Sequence, residues 1–238
     1  MNLEEELQLF IRNLEGLDEY RLPQRAYHTI RLAIRDLILP PGKALLEREI
    51  SDALQMSRTP IREALVRLEM EGVVQLVPRR GFIVGPIEKK DLKEVYDIIK
   101  TLDGLAIEIA TANVTDEELD SLEAIIIEQE VALKNENLKQ WSFLDDLFHA
   151  TIIEYANNKR LSAVIDSFAD QSYRARLFTI KERPIPMISI IEHKAIVSCM
   201  RAKDGKAAGM LIQSHRRRAQ KEILEVLDRT NHAEISSN

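Results

Sequence analysis

The stretch Ser57-Arg58-Thr59-Pro60-Ile61-Arg62-Glu63-Ala64-Leu65 decides the reading of this chain. Ser57 is a residue of the N-cap type, and Pro60 suits the first helical position, where a missing N–H loses no bond. Ile61, Leu65 and Leu68 recur four and three residues apart and mark one buried helix face. Arg58 and Arg62 stand four apart at the start of that helix. A helix that begins abruptly, with arginines in its first turn, can enter a DNA major groove by its N-terminal end. An amphipathic helix with solvated arginines has the same local pattern, so the flanking segments decide.

Upstream, Arg25 to Leu39 carries Ala26, Ile30, Ala33, Ile34 and Leu37 on one helical face, and Pro40-Pro41-Gly42 ends it. Glu47 to Leu54 is a short helix, and Gln55-Met56 turns it into the Ser57 helix, which gives a helix-turn-helix. Downstream, Glu71-Gly72 closes the second helix. Val73 to Val77 then reads as a strand, Pro78-Arg79-Arg80-Gly81 as a turn and Phe82 to Val84 as the return strand, a wing with two arginines at its tip. Further upstream, Leu3, Leu7, Phe10, Leu14 and Leu17 form a short heptad-like seam. That seam predicts an extra amphipathic helix within 1–20, packed on the body or on a partner chain.

The charge distribution supports this reading although the chain as a whole is acidic, with a net charge of −6. Residues 21–90 hold thirteen Lys and Arg against eight Asp and Glu, flanked by acidic blocks on both sides. Phosphate binding is local, so the sign of this block outweighs the total. The single cysteine, Cys199, excludes an intrachain disulfide and fits a reducing cytoplasm. No apolar run approaches a membrane span, and the N-terminus is acidic rather than signal-like.

Gly85-Pro86 marks a linker. From Asp91 onward the apolar residues follow a helical period, and the spacing predicts six helices with short connections, an antiparallel bundle. The fold class is mainly α. A winged helix-turn-helix occupies 21–86, an all-helical domain 87–230 and a polar tail 231–238.

Inside the helical half, Asp145 and His149 are four apart on a face otherwise made of Leu138, Trp141, Ile152 and Ala156. His193 interrupts the stripe of Ile190, Ile196 and Val197, and His215 that of Ala208, Leu211, Ile212 and Ala219. Polar groups on core-facing stripes need partners. Two readings fit. Each histidine can be a hydrogen-bonded core residue, or Asp145, His149, His193 and His215 can share one divalent ion.

Both halves resemble one family. Pro41-Gly42-x-x-Leu45-x-Glu47-Arg48-Glu49, the Ser57–Leu65 run, Leu68-x-x-Glu71-Gly72 and Pro78-Arg79-Arg80-Gly81 are similar to the winged helix of GntR-type transcription regulators. Residues 91–228 resemble the FCD effector domain of the FadR-like subgroup, on Asp145-x-x-Phe148-His149, Asn158-x-x-Leu161, Glu192-His193 and His215. The resemblance implies a DNA-binding homodimer whose affinity an effector controls, with Arg48, Arg58 and Arg62 on DNA, Ser57 and Thr59 on phosphates and Arg80 and Gly81 as the wing contact; since one recognition helix reads too few base pairs alone, a pseudo-palindromic double-stranded DNA operator is expected. It also implies that Asp145, His149, His193 and His215 bind a metal ion (Zn, Ni, Mn or Fe) that helps hold a small organic acid. One departure stands out. Many relatives carry an arginine in the first effector-domain helix, four residues before a glutamate, that clamps the effector carboxylate. Here Ile99 and Asp103 occupy those positions. Arg174 or Arg176 on a later helix is the candidate replacement.

The leading reading is therefore a ligand-responsive transcription repressor. A metal-dependent enzyme and an effector-independent DNA-binding protein are the alternatives. The first is disfavoured because no separate general base stands out, the second because it leaves the polar set in the helical half unexplained.

Overall fold

The computed structural model describes residues 3–12, 14 and 16–235, and the backbone divides after Ile87 into two units with separate apolar cores. The first runs α1 (Leu3–Arg12), a 3-10 turn at Leu17–Glu19, α2 (Leu22–Arg35), β1 (Ala44–Leu45), α3 (Glu47–Leu54), α4 (Arg58–Met70), β2 (Val74–Val77) and β3 (Gly81–Val84). Ile30 and Ile34 of α2, Ile50 of α3, Ile61, Leu65 and Leu68 of α4 and Phe82 of β3 close one core. Leu7 joins that core fully buried, and α1 packs on α3 and α2. The seam of residues 3–17 thus faces its own unit through Leu7 and Leu17, with Phe10 packed against the core. The side chain of Leu3 lies outside the described residues.

Several boundaries differ from the sequence reading. α2 stops at Arg35, because Leu37 turns left-handed (φ 59°) and the Leu39 N–H then reaches the Ala33 carbonyl at 3.0 Å. That reversal places Leu39, fully buried, in the core. α4 begins at Arg58, so Pro60 is its third residue rather than its first. The position still lies among the N–H groups with no intrahelical acceptor, so proline costs nothing there. β1 escaped the sequence reading. It pairs with β3 antiparallel (Ala44 with Ile83, Leu45 with Phe82), and the sheet order is β1-β3-β2.

The second unit is helical: α5 (Lys89–Asn113), α6 (Asp116–Lys134), α7 (Leu138–Tyr155), α8 (Lys159–Thr179), a 3-10 turn at Ile180–Glu182, α9 (Met187–Arg201) and α10 (Gly205–Ile235). Thr115 opens α6 with a reciprocal cap. The Glu118 N–H donates to Thr115 Oγ1 at 3.2 Å, and the Thr115 N–H donates to Glu118 Oε2 at 2.9 Å. α5 packs against α10, α8 and α7, while α6 lies against α7 and α9. The expected tail is shorter than 231–238, since α10 continues to Ile235; residues 236–238 lie outside the described residues. Among the described residues no helix is long and apolar enough to cross a membrane.

Candidate functional site

In the first unit, Arg48, Ser57, Arg58, Thr59, Arg62 and Arg80 are all exposed. Arg58, Thr59 and Arg62 line one shallow depression together with Glu47, Glu63 and Val66. Ser57 is the N-cap residue of α4, yet its side chain makes no capping bond, which leaves the hydroxyl available to an outside acceptor. Arg62 lies 4.0 Å from Glu47 and Arg48 lies 3.8 Å from Asp52, both long, exposed ion pairs. Such pairs contribute about 0–1 kcal/mol, so neither arginine is committed. Gly81 has a structural reason of its own. Its φ is +79°, and a Cβ there would stand 3.2 Å from the Leu45 carbonyl oxygen. Glycine therefore lets the wing lie against the segment that leads into Arg48.

In the second unit, Asp145, His149, His193 and His215 converge from α7, α9 and α10. All four are buried, and one potential ligand atom from each lies within 4.8 Å of the others. Outer partners orient the rings. His193 Nδ1 is 2.9 Å from Gln129 Oε1, and Gln129 in turn donates its Nε2 to the Leu144 carbonyl at 3.0 Å. With that amide nitrogen engaged, Oε1 faces His193, so Nδ1 carries the proton and the Nε2 lone pair points inward. His215 Nδ1 donates to Glu192 Oε2 at 2.7 Å, and Arg218 holds Glu192 through Nε and Nη2. Phe148 stacks on His193 with ring centroids 4.2 Å apart.

The centre itself is unsatisfied. Asp145 Oδ1 and His193 Nε2 face each other at 3.6 Å, and neither has a hydrogen-bond partner among the described residues. His149 Nε2 and His215 Nε2 approach to 3.2 Å. Two orphaned buried atoms and two nitrogens nose to nose are what a cation would resolve, and three imidazoles with one carboxylate suit a divalent transition metal.

Electrostatics agree with this arrangement. Burial, then the charge of Arg216 and the neighbouring histidines, holds His149 well below the ordinary imidazole range. Burial and His215 bring His193 down to about 3 although Asp145 pulls the other way. Burial pushes Asp145 up, but Arg176, with His193 and His215, more than offsets it, and the carboxyl ends below its usual value. Glu192, hydrogen-bonded by His215 and Arg218, falls to about 2 despite its partial burial. A neutral His149 and His193 beside an ionised Asp145 are the protonation states that metal binding requires.

Arg176 and Arg174 behave differently from the expectation that one of them lines an effector cavity. Arg176 is buried and committed to carboxylates. Its Nη1 donates to Asp145 Oδ2 and its Nη2 to Asp146 Oδ1, the latter at 2.7 Å. Neither arginine lines the cavity of about 260 Å³ that abuts the cluster through His149. The cation in that wall is Arg216, whose Nε donates to Asp103 Oδ2 at 2.7 Å. Sequence reasoning missed it, along with Gln129 and Arg218. Arg216-Arg217-Arg218 reads as a solvated basic run, and the sole signal was that Arg216 follows a stripe histidine. Glu192 appeared only as part of a motif.

The comparisons with known proteins cover both units. Residues 22–84 match the profile of bacterial regulatory proteins of the gntR family, and residues 94–218 match the FCD domain. The chain is 36% identical over 138 residues to an HTH-type transcriptional regulator in the TAR-I ttuE-ttuC' intergenic region of Agrobacterium vitis, covering 55% of this chain and 78% of that one. It is 31% identical over 184 residues to the gluconate operon transcriptional repressor of Bacillus licheniformis, covering 74% of each. Among solved structures, Escherichia coli McbR/YncC superposes with a TM-score of 0.75 at 21% identity, over 89% of this chain and 99% of that one.

Proposed function

The chain belongs to the GntR family of bacterial regulators and carries an FCD domain, and from that premise we propose that it is a metal-dependent sensor of a small organic acid that releases its operator on binding. Transcription regulators of this family bind DNA and are not enzymes. The finer reading rests on one observation: Asp145 Oδ1 and His193 Nε2 are buried and have no hydrogen-bond partner among the described residues, at the meeting point of four potential ligands.

A divalent ion held there (Zn, Ni, Mn or Fe) would draw on Asp145 and His149 of α7, His193 of α9 and His215 of α10. When bound, the ion supplies a positive anchor for a carboxylate. The chain's own part is orientation: Gln129 and Glu192 fix the rings, Arg176 fixes Asp145, and His149 forms both part of the cluster and part of the cavity wall. The four ligands come from three helices, so effector binding can alter the packing of α9 and α10 against α7.

On the DNA side, one recognition helix reads too few base pairs alone, so a two-fold homodimer on a pseudo-palindromic operator is the functional unit. α4 would enter the major groove with Arg58 and Arg62, Ser57 and Thr59 would hold phosphates, and Arg48 and the wing residues Arg80 and Gly81 would add contacts. The repressor name of the B. licheniformis relative supports the negative sign of control.

The test combines elemental analysis, melting with and without chelator, and operator binding with candidate acids. The expected result is one ion per chain, a chelator-sensitive melting temperature and acid-dependent release of DNA. His193→Ala should lose the ion and the acid response but keep operator binding. Stoichiometric metal in a His193→Ala, His215→Ala double variant overturns the site.

A further inference from the structure

The cavity next to the cluster carries one cation in its wall. Arg216 lines it from α10 together with Ile99 of α5, with Ile153 and Ile165 supplying apolar surface and His149 shared with the cluster. Arg216 is 6% exposed, so nearly all of its side chain is out of bulk water. Its Nε is spent on Asp103, also buried at 3%. Its two terminal nitrogens have no hydrogen-bond partner among the described residues. Contrast Arg176, which gives both terminal nitrogens to carboxylates. A guanidinium buried only to brace the fold turns its fork toward protein acceptors, because burying unmatched donors is costly. Arg216 lines the cavity with its terminal nitrogens unclaimed among the described residues, and a planar fork of that kind matches a carboxylate.

We infer that Arg216 is the residue that grips the effector's carboxylate in this protein, and that it does so from α10 because position 99 of α5 is isoleucine. Asp103 sets the guanidinium through Nε and neutralises it while the cavity is empty. The remaining wall narrows the class of ligand. An ion held at the cluster and Arg216, next to the ligand His215, would meet the same carboxylate at the His149 end of the cavity, while the rest of the wall holds Glu154, Asp166 and the Arg176-bound Asp146 and no other Lys or Arg among the described residues. A second carboxylate on the ligand would face those acids, so the cavity takes a compact monocarboxylate whose far end is uncharged or cationic, and disfavours di- and tricarboxylates. Ser162 and Ser172 in the wall donate their hydroxyls to the Asn158 and Ala169 carbonyls, and their oxygens can still accept from a hydroxylated carbon skeleton. This inference rests on the metal-and-acid reading above.

The test is calorimetry on the full-length, metal-loaded chain with lactate, gluconate and β-alanine, against malonate, citrate and the neutral isostere lactamide. Arg216→Gln alone would strand Asp103 in the core, so the informative variant is Asp103→Asn with Arg216→Gln, which removes both charges. We expect a monocarboxylate to bind the wild type, and the double variant to bind it roughly ten- to hundred-fold more weakly, as for loss of a charge-assisted pair. Metal content and operator affinity without acid should be unchanged. Undiminished monocarboxylate binding in a metal-replete double variant overturns the role of Arg216, and so does equal affinity for malonate and lactate. If no acid in the set binds the metal-loaded wild type, or if binding survives unchanged in His193→Ala, the sensor reading itself fails, and this inference falls with it.

Discussion

Arg62 in the first unit has 71% of its side chain exposed and lies 4.0 Å from Glu47, its one ionic neighbour among the described residues. His193 in the second unit is fully buried, with one ring nitrogen bonded to Gln129 and the other aimed at an unpartnered carboxylate oxygen. The two units therefore hold their candidate functional side chains in different energetic states. In the winged helix the core is apolar and self-sufficient, and the arginines are attached to its outside. In the helical unit the candidate ligands belong to the core, and any change to them is also a change to the fold. A site that meets a polyanion can sit on the surface and rely on charge. A site that grips an ion and a small acid has to exclude water, and then accepts the desolvation of every group in it.

The sharpest test of that contrast is Arg176→Met. Arg176 is the main counter-charge of Asp145, and both are buried. Removing it from the metal-free protein leaves an unpaired buried carboxylate and should destabilise the helical unit by about 3–5 kcal/mol. Metal should recover much of that loss, because a cation at the cluster becomes the new partner of Asp145. Trp141 is the chain's single tryptophan and is buried in this unit, so its fluorescence follows the unit alone. Chemical unfolding watched at Trp141, with and without ion, gives both numbers. An unchanged midpoint in the metal-free variant would break the claim that these charges are structural.

Acid should act on the same unit. His149 and His193 are both held below their unfolded value near 6.5, His193 at about 3. For a depressed group the unfolded chain binds more protons, so the stabilisation is complete above pH 6.5 and is lost as pH falls from there toward 3. Between pH 6.5 and 5, His193 alone should remove roughly 2 kcal/mol from the metal-free protein, and His149 adds in the same direction. Trp141 fluorescence against denaturant at the two pH values measures it. Equal stability at pH 6.5 and 5 would mean that the imidazoles are solvated rather than core residues.

How far the sequence reached follows from what kind of signal each part leaves. The Ser57–Leu65 run shows a helix start, an apolar face and a charged tip within nine residues, so the recognition helix was legible. β1 was not, because two residues have no period and Ala44-Leu45 pair with a strand nearly forty residues later. The early end of α2 was hidden because Leu37, not glycine, takes the left-handed turn. In the helical unit, each of Asp145, His149, His193 and His215 betrays itself as a polar break in an apolar stripe, which gives its direction but no distance. Only the fold shows that the four breaks meet, and that Gln129 and Glu192 orient the rings. Arg216 was illegible for a related reason. Its burial depends on Asp103, 113 residues away, and nothing in an arginine triplet says which member faces inward.

Smaller effects belong to the exposed side of the comparison. Arg62→Ala should cost about 1–3 kcal/mol of operator binding if the side chain reads a guanine edge, and should relax preference at one base pair of each half-site. Its melting temperature should not move, because the pair with Glu47 is long and exposed. A melting temperature that drops with operator affinity would place Arg62 in the fold rather than on the DNA.

Arg58→Ala is the mildest and the most diagnostic. Arg58 is the first residue of α4, exposed, and next to a Ser57 hydroxyl that caps nothing. The first N–H groups of a helix, the positive end of its dipole and an adjacent guanidinium together make a seat for a phosphate. A phosphate contact carries no sequence information, so the loss should be the same for operator and for random duplex. It should also appear in the salt dependence. Each neutralised phosphate contributes about 0.9 to the slope of log K against log salt, and a dimer presents two copies of Arg58, so the slope should fall by roughly 2 per dimer. Titrations at several salt concentrations on both duplexes separate the cases. A loss confined to the operator would move Arg58 from the backbone to a base edge, and an unchanged slope would remove the N-terminal end of α4 from the DNA altogether.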